Sequence, residues 1–204
     1  NFRDLLMVEG NYNPRMKLPV VPCSDGVGVV SAVGSNVKDW KIGERAMPVF
    51  APGWYDGDPE RTHLRGAIGG PADGTLQQYM CLKAVDAVKA PEHLTDEEAA
   101  TLPCAGLTAW SALVEKGPVK AGEQILTLGT GGVSVFALQF GVMFGAEVVI
   151  TSGSDDKLTR AKELGARHCI NYKTQPNWEK EVARITRLRG VDHVIEVGGM
   201  GTLE

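Results

Sequence analysis

The stretch 124–134, QILTLGTGGVS, constrains the fold more than any other part of the chain, because a short apolar run breaks into glycines and at once opens a second apolar run, VFALQFGVMFGA. That pattern predicts a strand, a tight turn and a helix. Gly129, Gly131 and Gly132 keep side chains out of the turn, so a pyrophosphate can lie against bare peptide N–H groups at the helix N-terminus. The sixth position of this dinucleotide-binding spacing holds Ser134 rather than glycine, a residue small enough for close helix–strand packing. A glycine-rich turn without a ligand is the competing reading, and the downstream pattern weighs against it. AEVVITSGSDDKLTRAKELGA supplies a second strand (about 147–151) and a second helix, HCINY a third strand, residues 176–189 a third helix and VDHVIEV a fourth strand. Strands alternating with helices imply a parallel sheet wound by right-handed crossovers.

In such a sheet the residue ending the second strand selects the dinucleotide, since an acid there bonds the ribose hydroxyls and repels a 2′-phosphate. This chain has Ser152 at that point, followed by Gly153, Ser154 and Lys157. Hydroxyls and a cation stand where a carboxylate would favour NAD, so NADP is expected in preference to NAD. The alternative for Lys157 is a solvated helix residue, with Asp155 and Asp156 beside it.

Upstream of residue 105 the character of the chain changes. VGVVSAVG, ERAMPVF, QQYMCLKA and DAVKAP are short runs bounded by turn residues and predict a β-rich, barrel-like unit. Between them APGWYDGDPERTHLRGAIGGPADG, dense in glycine and proline, is expected to be an exposed loop. LTDEEAATLPCAGLTAWSALVEKG opens with a Thr95–Glu98 capping box and continues as helix, with Pro103 marking a break. The expected fold class is therefore α/β, with domains at 1–104 and 105–204.

A net charge of −4 with no basic run argues against nucleic acid or an anionic membrane as partner. The absence of a long apolar segment, and first residues without signal or transit character, make the cytoplasm the expected location. Cys23, Cys81, Cys104 and Cys169 lack any Cys-x-x-Cys spacing and read as reduced thiols. None of His63, His93, His168 and His193 has ligand spacing to another, and no Ser-His-Asp or paired-carboxylate arrangement offers a different chemistry.

NFRDLL with G-x-Y, PCSDGVGVVSAVGSNVKDWKIGERAM, DGTLQQY, EEAATLPCAGLTAWSAL, GTGGVS with ALQ, AKELGA, INY and DHVIEVGG occur in one order along the whole chain. In these motifs the sequence resembles the medium-chain dehydrogenase/reductase superfamily, specifically its zinc-free quinone-oxidoreductase-like and alcohol-dehydrogenase-like members. The resemblance implies a GroES-like β-rich catalytic domain, a Rossmann domain with a doubly wound parallel sheet, and an active site between them. Zinc-dependent relatives hold a catalytic metal at positions that match Asn1, Ser24 and Cys104 here. Amide and hydroxyl are poor zinc ligands beside thiolate and imidazole, and APGWYDGD stands where a four-cysteine structural zinc lobe would begin, so no metal is expected.

By resemblance, Asn1, Asp4 and Ser24 are the polar groups near the nicotinamide and Phe50 and Trp54 the apolar wall of the substrate pocket. Asn1 as a turn residue, Asp4 as a backbone cap and Phe50 as a core aromatic remain alternatives. The resemblance also puts Thr108 near the nicotinamide and assigns the pyrophosphate to Gly129, Thr130, Gly131, Gly132, Val133 and Ser134. Ser152, Ser154, Lys157 and Tyr172 would surround the adenosine phosphate, and Val197 and Gly198 would line the cleft after the fourth strand.

The implied function is NADPH-dependent, zinc-free hydride transfer to a quinone, enone, aldehyde or ketone, by a homo-oligomer, most simply a dimer. A non-catalytic NADPH-binding or structural protein of the same fold is the alternative. Against the family pattern both ends are expected to be truncated, leaving an incomplete sheet of about four strands in the order 3-2-1-4, with lowered stability and association through the open edge.

Overall fold

A computed structural model describes residues 1–199, apart from the side chains of Arg61 and Leu64, and the chain divides into two compact units between Cys104 and Ala105. The first unit opens with helix α1 (Phe2–Val8) and holds a three-stranded antiparallel sheet of β1 (Gly28–Val29), β2 (Arg45–Pro48) and β3 (Ala87–Lys89), with a one-turn helix α2 (Arg61–Leu64) between the last two. Ala46 of β2 faces Gly28 on one side and Lys89 on the other. Met47 and Ala90 bury themselves against Ala99 of α3 (Asp96–Ala99), with Val27, Leu94 and Leu102 packed around them.

The capping box at α3 is formed in both directions: Glu98 N–H donates to Thr95 Oγ1 at 3.3 Å and Thr95 N–H to Glu98 Oε2 at 2.9 Å. The expected break falls between Ala99 and Leu102, and Pro103 lies in the first turn of a π-helical segment (Leu102–Gly106), where a missing N–H costs no helical bond.

Two expectations for this unit need correction. Of the run VGVVSAVG only Gly28–Val29 forms a strand, prolonged by the two backbone bonds of Val30 to Gly43 and Glu44, and among the described residues QQYMCLKA carries no strand, ending instead in a 3-10 turn (Ala84–Asp86). Alternation reports which way side chains point, whereas a strand also needs a neighbouring backbone to exchange hydrogen bonds; Tyr79 in this run is 78% exposed. The segment 51–74 is not simply an exposed loop either, since Ala51, Ala67 and Ile68 are buried. Its glycines let it fold back on residues 21–25: Gly74 N–H donates to Val21 O at 2.8 Å, and Val21 N–H to Asp73 Oδ1 at 2.9 Å.

The second unit begins with α4 (Leu107–Trp110) and a π-helical segment (Ser111–Lys116) and then follows the expected alternation. In order come β4 (Gln124–Thr127), α5 (Gly132–Met143), β5 (Glu147–Ser152), α6 (Asp155–Glu163), β6 (His168–Asn171), α7 (Trp178–Ile185) and β7 (His193–Ile195). All pairings are parallel and the spatial order is β6-β5-β4-β7, the half-sheet expected from the sequence. Because successive side chains on a strand point to opposite faces, Ile125 joins Val148 and Ile150 on the face packed by α5, while Leu126 joins Val149 and Ile170 on the face packed by α7.

The third helix is shorter than residues 176–189: it ends at Ile185, and the chain then turns through Arg187 and Leu188, both with positive φ, toward Gly190. On α5, Gly141 lets helix and sheet touch, since a Cβ there would come within 2.7 Å of Ile125 Cδ1 and 2.8 Å of Val148 Cγ2. Leu138 on the same face is fully buried. Leu138→Ala is expected to cost about 3 kcal/mol through lost transfer energy and the cavity left behind, read as a lower denaturant midpoint at unchanged slope.

Among the described residues no helix is long and apolar enough to cross a membrane.

Candidate functional site

At the carboxyl ends of β4, β5 and β6 the second unit forms a cavity of about 360 Å³, lined by Gly129, Thr130, Gly131, Ser152, Gly153, Ser154, Lys157, Tyr172 and Lys173. Gly129 has φ +85°, a conformation that disfavours any side chain, and its N–H donates to Thr151 Oγ1 at 3.0 Å. Gly131 caps α5, so the first helical N–H groups, those of Gly132, Val133 and Ser134, have no partner within the helix and stand beside the cavity's glycine rim. Such an end favours an anion. Ser134 itself is fully buried and donates to Leu128 O at 3.1 Å, so its side chain closes the strand–helix turn instead of lining the cavity, while Val133 packs on the core.

The floor of the cavity is a hydroxyl relay. Ser152 is 4% exposed, its Oγ lies 3.1 Å from Thr130 Oγ1, and it accepts the Ser154 N–H at 3.3 Å. Ser154 caps α6, accepting the Lys157 N–H on Oγ at 3.5 Å. Four residues assigned to an adenosine phosphate from the sequence, Ser152, Ser154, Lys157 and Tyr172, thus share one wall with the glycine turn. Lys173 was missed. It lies in the turn two residues past the end of β6, and the β5–β6 register, Ser152 opposite Asn171, brings it there.

In the first unit Asn1, Asp4 and Ser24 are brought together, though as a buried knot. Asp4 Oδ1 accepts the Ser24 N–H at 2.9 Å and lies 3.6 Å from the Arg3 guanidinium; Asn1 Nδ2 donates to Ser24 Oγ at 3.2 Å. Ser24 has no exposed surface, so in this arrangement it holds Asn1 and presents nothing to a substrate. Two further groups join the knot. Asp25 accepts hydrogen bonds from the Asn1 side chain and the Cys104 N–H; burial pushes its carboxyl above the usual range, and these donors only partly offset that. Cys104 bonds the Ser24 side chain, and burial followed by the nearby Asp25 charge raises its thiol. Burial raises Cys23 likewise, the Asp4 charge adding to it. The adjacency of Ser24 and Asp25 was the available signal for Asp25.

This donor set does not fit zinc. A structural or catalytic zinc site draws mainly on thiolate and imidazole, whereas Asn1 offers an amide and Ser24 a hydroxyl already engaged, leaving Cys104 as a single sulfur donor. Among the described residues no three His, Cys, Asp or Glu side chains cluster as metal ligands.

The apolar candidates part company. Phe50 lies under the Arg3 guanidinium, 5.0 Å from ring centroid to Cζ, which ties it to α1. Trp54 instead stacks on His63 at 5.8 Å. In the second unit Thr108 is exposed on α4, and Val197 is half exposed beyond β7, where Gly198 N–H donates to Glu196 Oε1.

Comparison with known proteins gives a consistent family assignment. Residues 1–92 match the family described as alcohol dehydrogenase GroES-like domain, and residues 132–204 the family described as zinc-binding dehydrogenase. The second match contains none of Asn1, Ser24 and Cys104, so its name locates no metal site in this chain. A zinc-type alcohol dehydrogenase-like protein of Schizosaccharomyces pombe is 47% identical over 205 residues, covering 100% of this chain and 59% of that protein. Among solved structures, an NAD-dependent alcohol dehydrogenase superposes with a TM-score of 0.85 at 37% identity, over 98% of this chain and 60% of its own. The quinone oxidoreductase of Escherichia coli, solved with NADPH, gives 0.75 at 28% identity, over 94% and 52%. The chain therefore spans between half and two thirds of the length of these relatives.

Proposed function

Since the chain belongs to the medium-chain dehydrogenase/reductase superfamily, we propose that it works as an NADPH-dependent oxidoreductase that reduces a quinone, enone, aldehyde or ketone without zinc. The observation that carries this reading is the end of β5. Ser152, Ser154 and Lys157 offer hydroxyls and a cation where an NAD site needs an acid. Likeness alone does not choose the dinucleotide, because one solved neighbour is named for NAD and another was solved with NADPH.

In this reading Gly129, Thr130, Gly131 and the N-terminus of α5 hold the pyrophosphate, and Thr108, Val197 and Gly198 adjoin the nicotinamide. Bound there, the cofactor supplies a hydride equivalent. An enone or quinone accepts hydride at carbon and becomes an enolate-like oxyanion, which then takes a proton from water. Asn1 is the amide proposed to meet that oxygen, by giving up one of the two hydrogen bonds it donates to Ser24 and Asp25. Phe50, beside α1, and Trp54, on His63, each offer a separate apolar surface to the substrate. The partners are small carbonyl or quinone molecules, not nucleic acid or membrane, and the working form is a cytoplasmic dimer.

Stopped-flow assays of nicotinamide absorbance with a quinone, an enone and an aldehyde test this directly. Oxidation of NADPH at least ~10-fold faster than NADH is expected with one of them, unchanged by chelator, from protein carrying far less than about one zinc per chain. Stoichiometric zinc lost together with activity would overturn the zinc-free chemistry. The burial of Ser24 and Asp4 favours a second reading, a non-catalytic NADPH-binding protein; NADPH binding without turnover of any of the three substrates would establish it.

A further inference from the structure

The cavity holds a cation that the spacing of nucleotide-binding motifs does not assign. Lys173 lines the same wall as Ser152, Ser154 and Lys157. Its stem crosses the β5–α6 turn so closely that a Cβ on Gly153 would lie 2.9 Å from Lys173 Cε and 2.8 Å from Tyr172 Oη. A side chain at 153 would therefore have to displace the tips of both Tyr172 and Lys173.

The backbone beneath Lys173 is held firmly. Asn171, 8% exposed, accepts the Lys173 N–H on Oδ1 at 3.0 Å and donates from Nδ2 to Asp155 Oδ1 at 2.6 Å. One amide therefore fixes the lysine's main chain and also bonds the Asp155 carboxylate at the start of α6. The cavity lining contains two lysines and no Asp or Glu. Among the described residues neither Lys157 nor Lys173 makes an ion pair, so both ammonium groups remain available to a ligand.

We propose that Lys173 is a specificity-determining residue which, together with Lys157, selects adenosine nucleotides bearing a 2′-phosphate. A phosphate monoester carries close to two negative charges at neutral pH, so a single ammonium leaves much of its charge uncompensated. Two ammonium groups, one from the first turn of α6 and one from the turn after β6, match it, and ADP-ribose without the phosphate gives Lys173 no such charge to meet. The inference rests on the NADP reading above and adds the residue that enforces it.

Calorimetric titration of the whole chain with 2′,5′-ADP and with 5′-AMP tests it without nicotinamide or turnover. Wild type is expected to bind 2′,5′-ADP at least ~30-fold tighter than 5′-AMP, and Lys173→Ala to lose about tenfold of that preference while leaving 5′-AMP affinity unchanged. Lys173→Arg keeps the charge and should keep most of the preference. If wild type shows the preference and Lys173→Ala retains it in full, the role of Lys173 is refuted while the NADP reading stands. If wild type shows no preference, the NADP reading itself fails. Equal losses for both nucleotides in Lys173→Ala would mark a general distortion of the site and also refute the proposal.

Discussion

Replacing Ser152 with aspartate is expected to weaken NADPH binding by about 30-fold, taking roughly 2 kcal/mol of charge repulsion between the limits for bulk water and protein surface. Ser152 is nearly buried at the cavity floor, with Thr130 Oγ1 and the Ser154 N–H on its oxygen. A carboxylate there keeps the Ser154 N–H as a donor but faces any 2′-phosphate, while ribose hydroxyls can donate to it. NADH affinity should therefore hold or rise. Titration of both cofactors into the variant checks this, and a parallel loss for both would mean that the site had been distorted instead of recharged.

Gly74→Ala is expected to destabilise the chain by at least about 3 kcal/mol and lower its melting temperature by roughly 10 °C. A Cβ at Gly74 would stand 2.1 Å from Cys23 O and 2.4 Å from Pro22 O. Both are main-chain atoms and cannot rotate away. The segment they belong to also holds Ser24, whose N–H bonds Asp4, so the knot around Asn1 should loosen with it. Gly28→Ala is the control: its Cβ would meet nothing within 4 Å, and a change within about 0.5 kcal/mol is expected. Thermal melts of the two variants side by side decide the matter, and similar melting temperatures would show that the 69–75 loop yields easily.

The second unit was the more legible half because its information is local and periodic. Glycines at 129–132 and apolar runs spaced by helices dictate a wound parallel sheet, and the order β6-β5-β4-β7 follows from right-handed crossovers. Ser152, Ser154 and Lys157 lie within one strand–helix turn, so spacing alone placed them. Lys173 had one local signal, its place beside Tyr172, but its reach over the β5–α6 turn depends on strand register. In the first unit the misreadings share a cause: QQYMCLKA has the right side-chain period without a paired strand, and the apparent loop 51–74 is partly buried because glycines such as Gly69 and Gly74 press against the backbone of Cys23. That Ser24 would be wholly enclosed, with Asp25 and Cys104 drawn to it, is a property of several distant segments meeting.

The raised thiols of Cys23 and Cys104 bear on survival in the presence of the proposed substrates. Quinones and enones are electrophiles that alkylate cysteine, and they do so through the thiolate. Burial first, and then the neighbouring carboxylates, raise both thiols and so lower the share of reactive thiolate. Under the proposed quinone or enone reduction, Cys23 and Cys104 are thereby slower to alkylate than an ordinary thiol, while the exposed Cys81 lacks that burial.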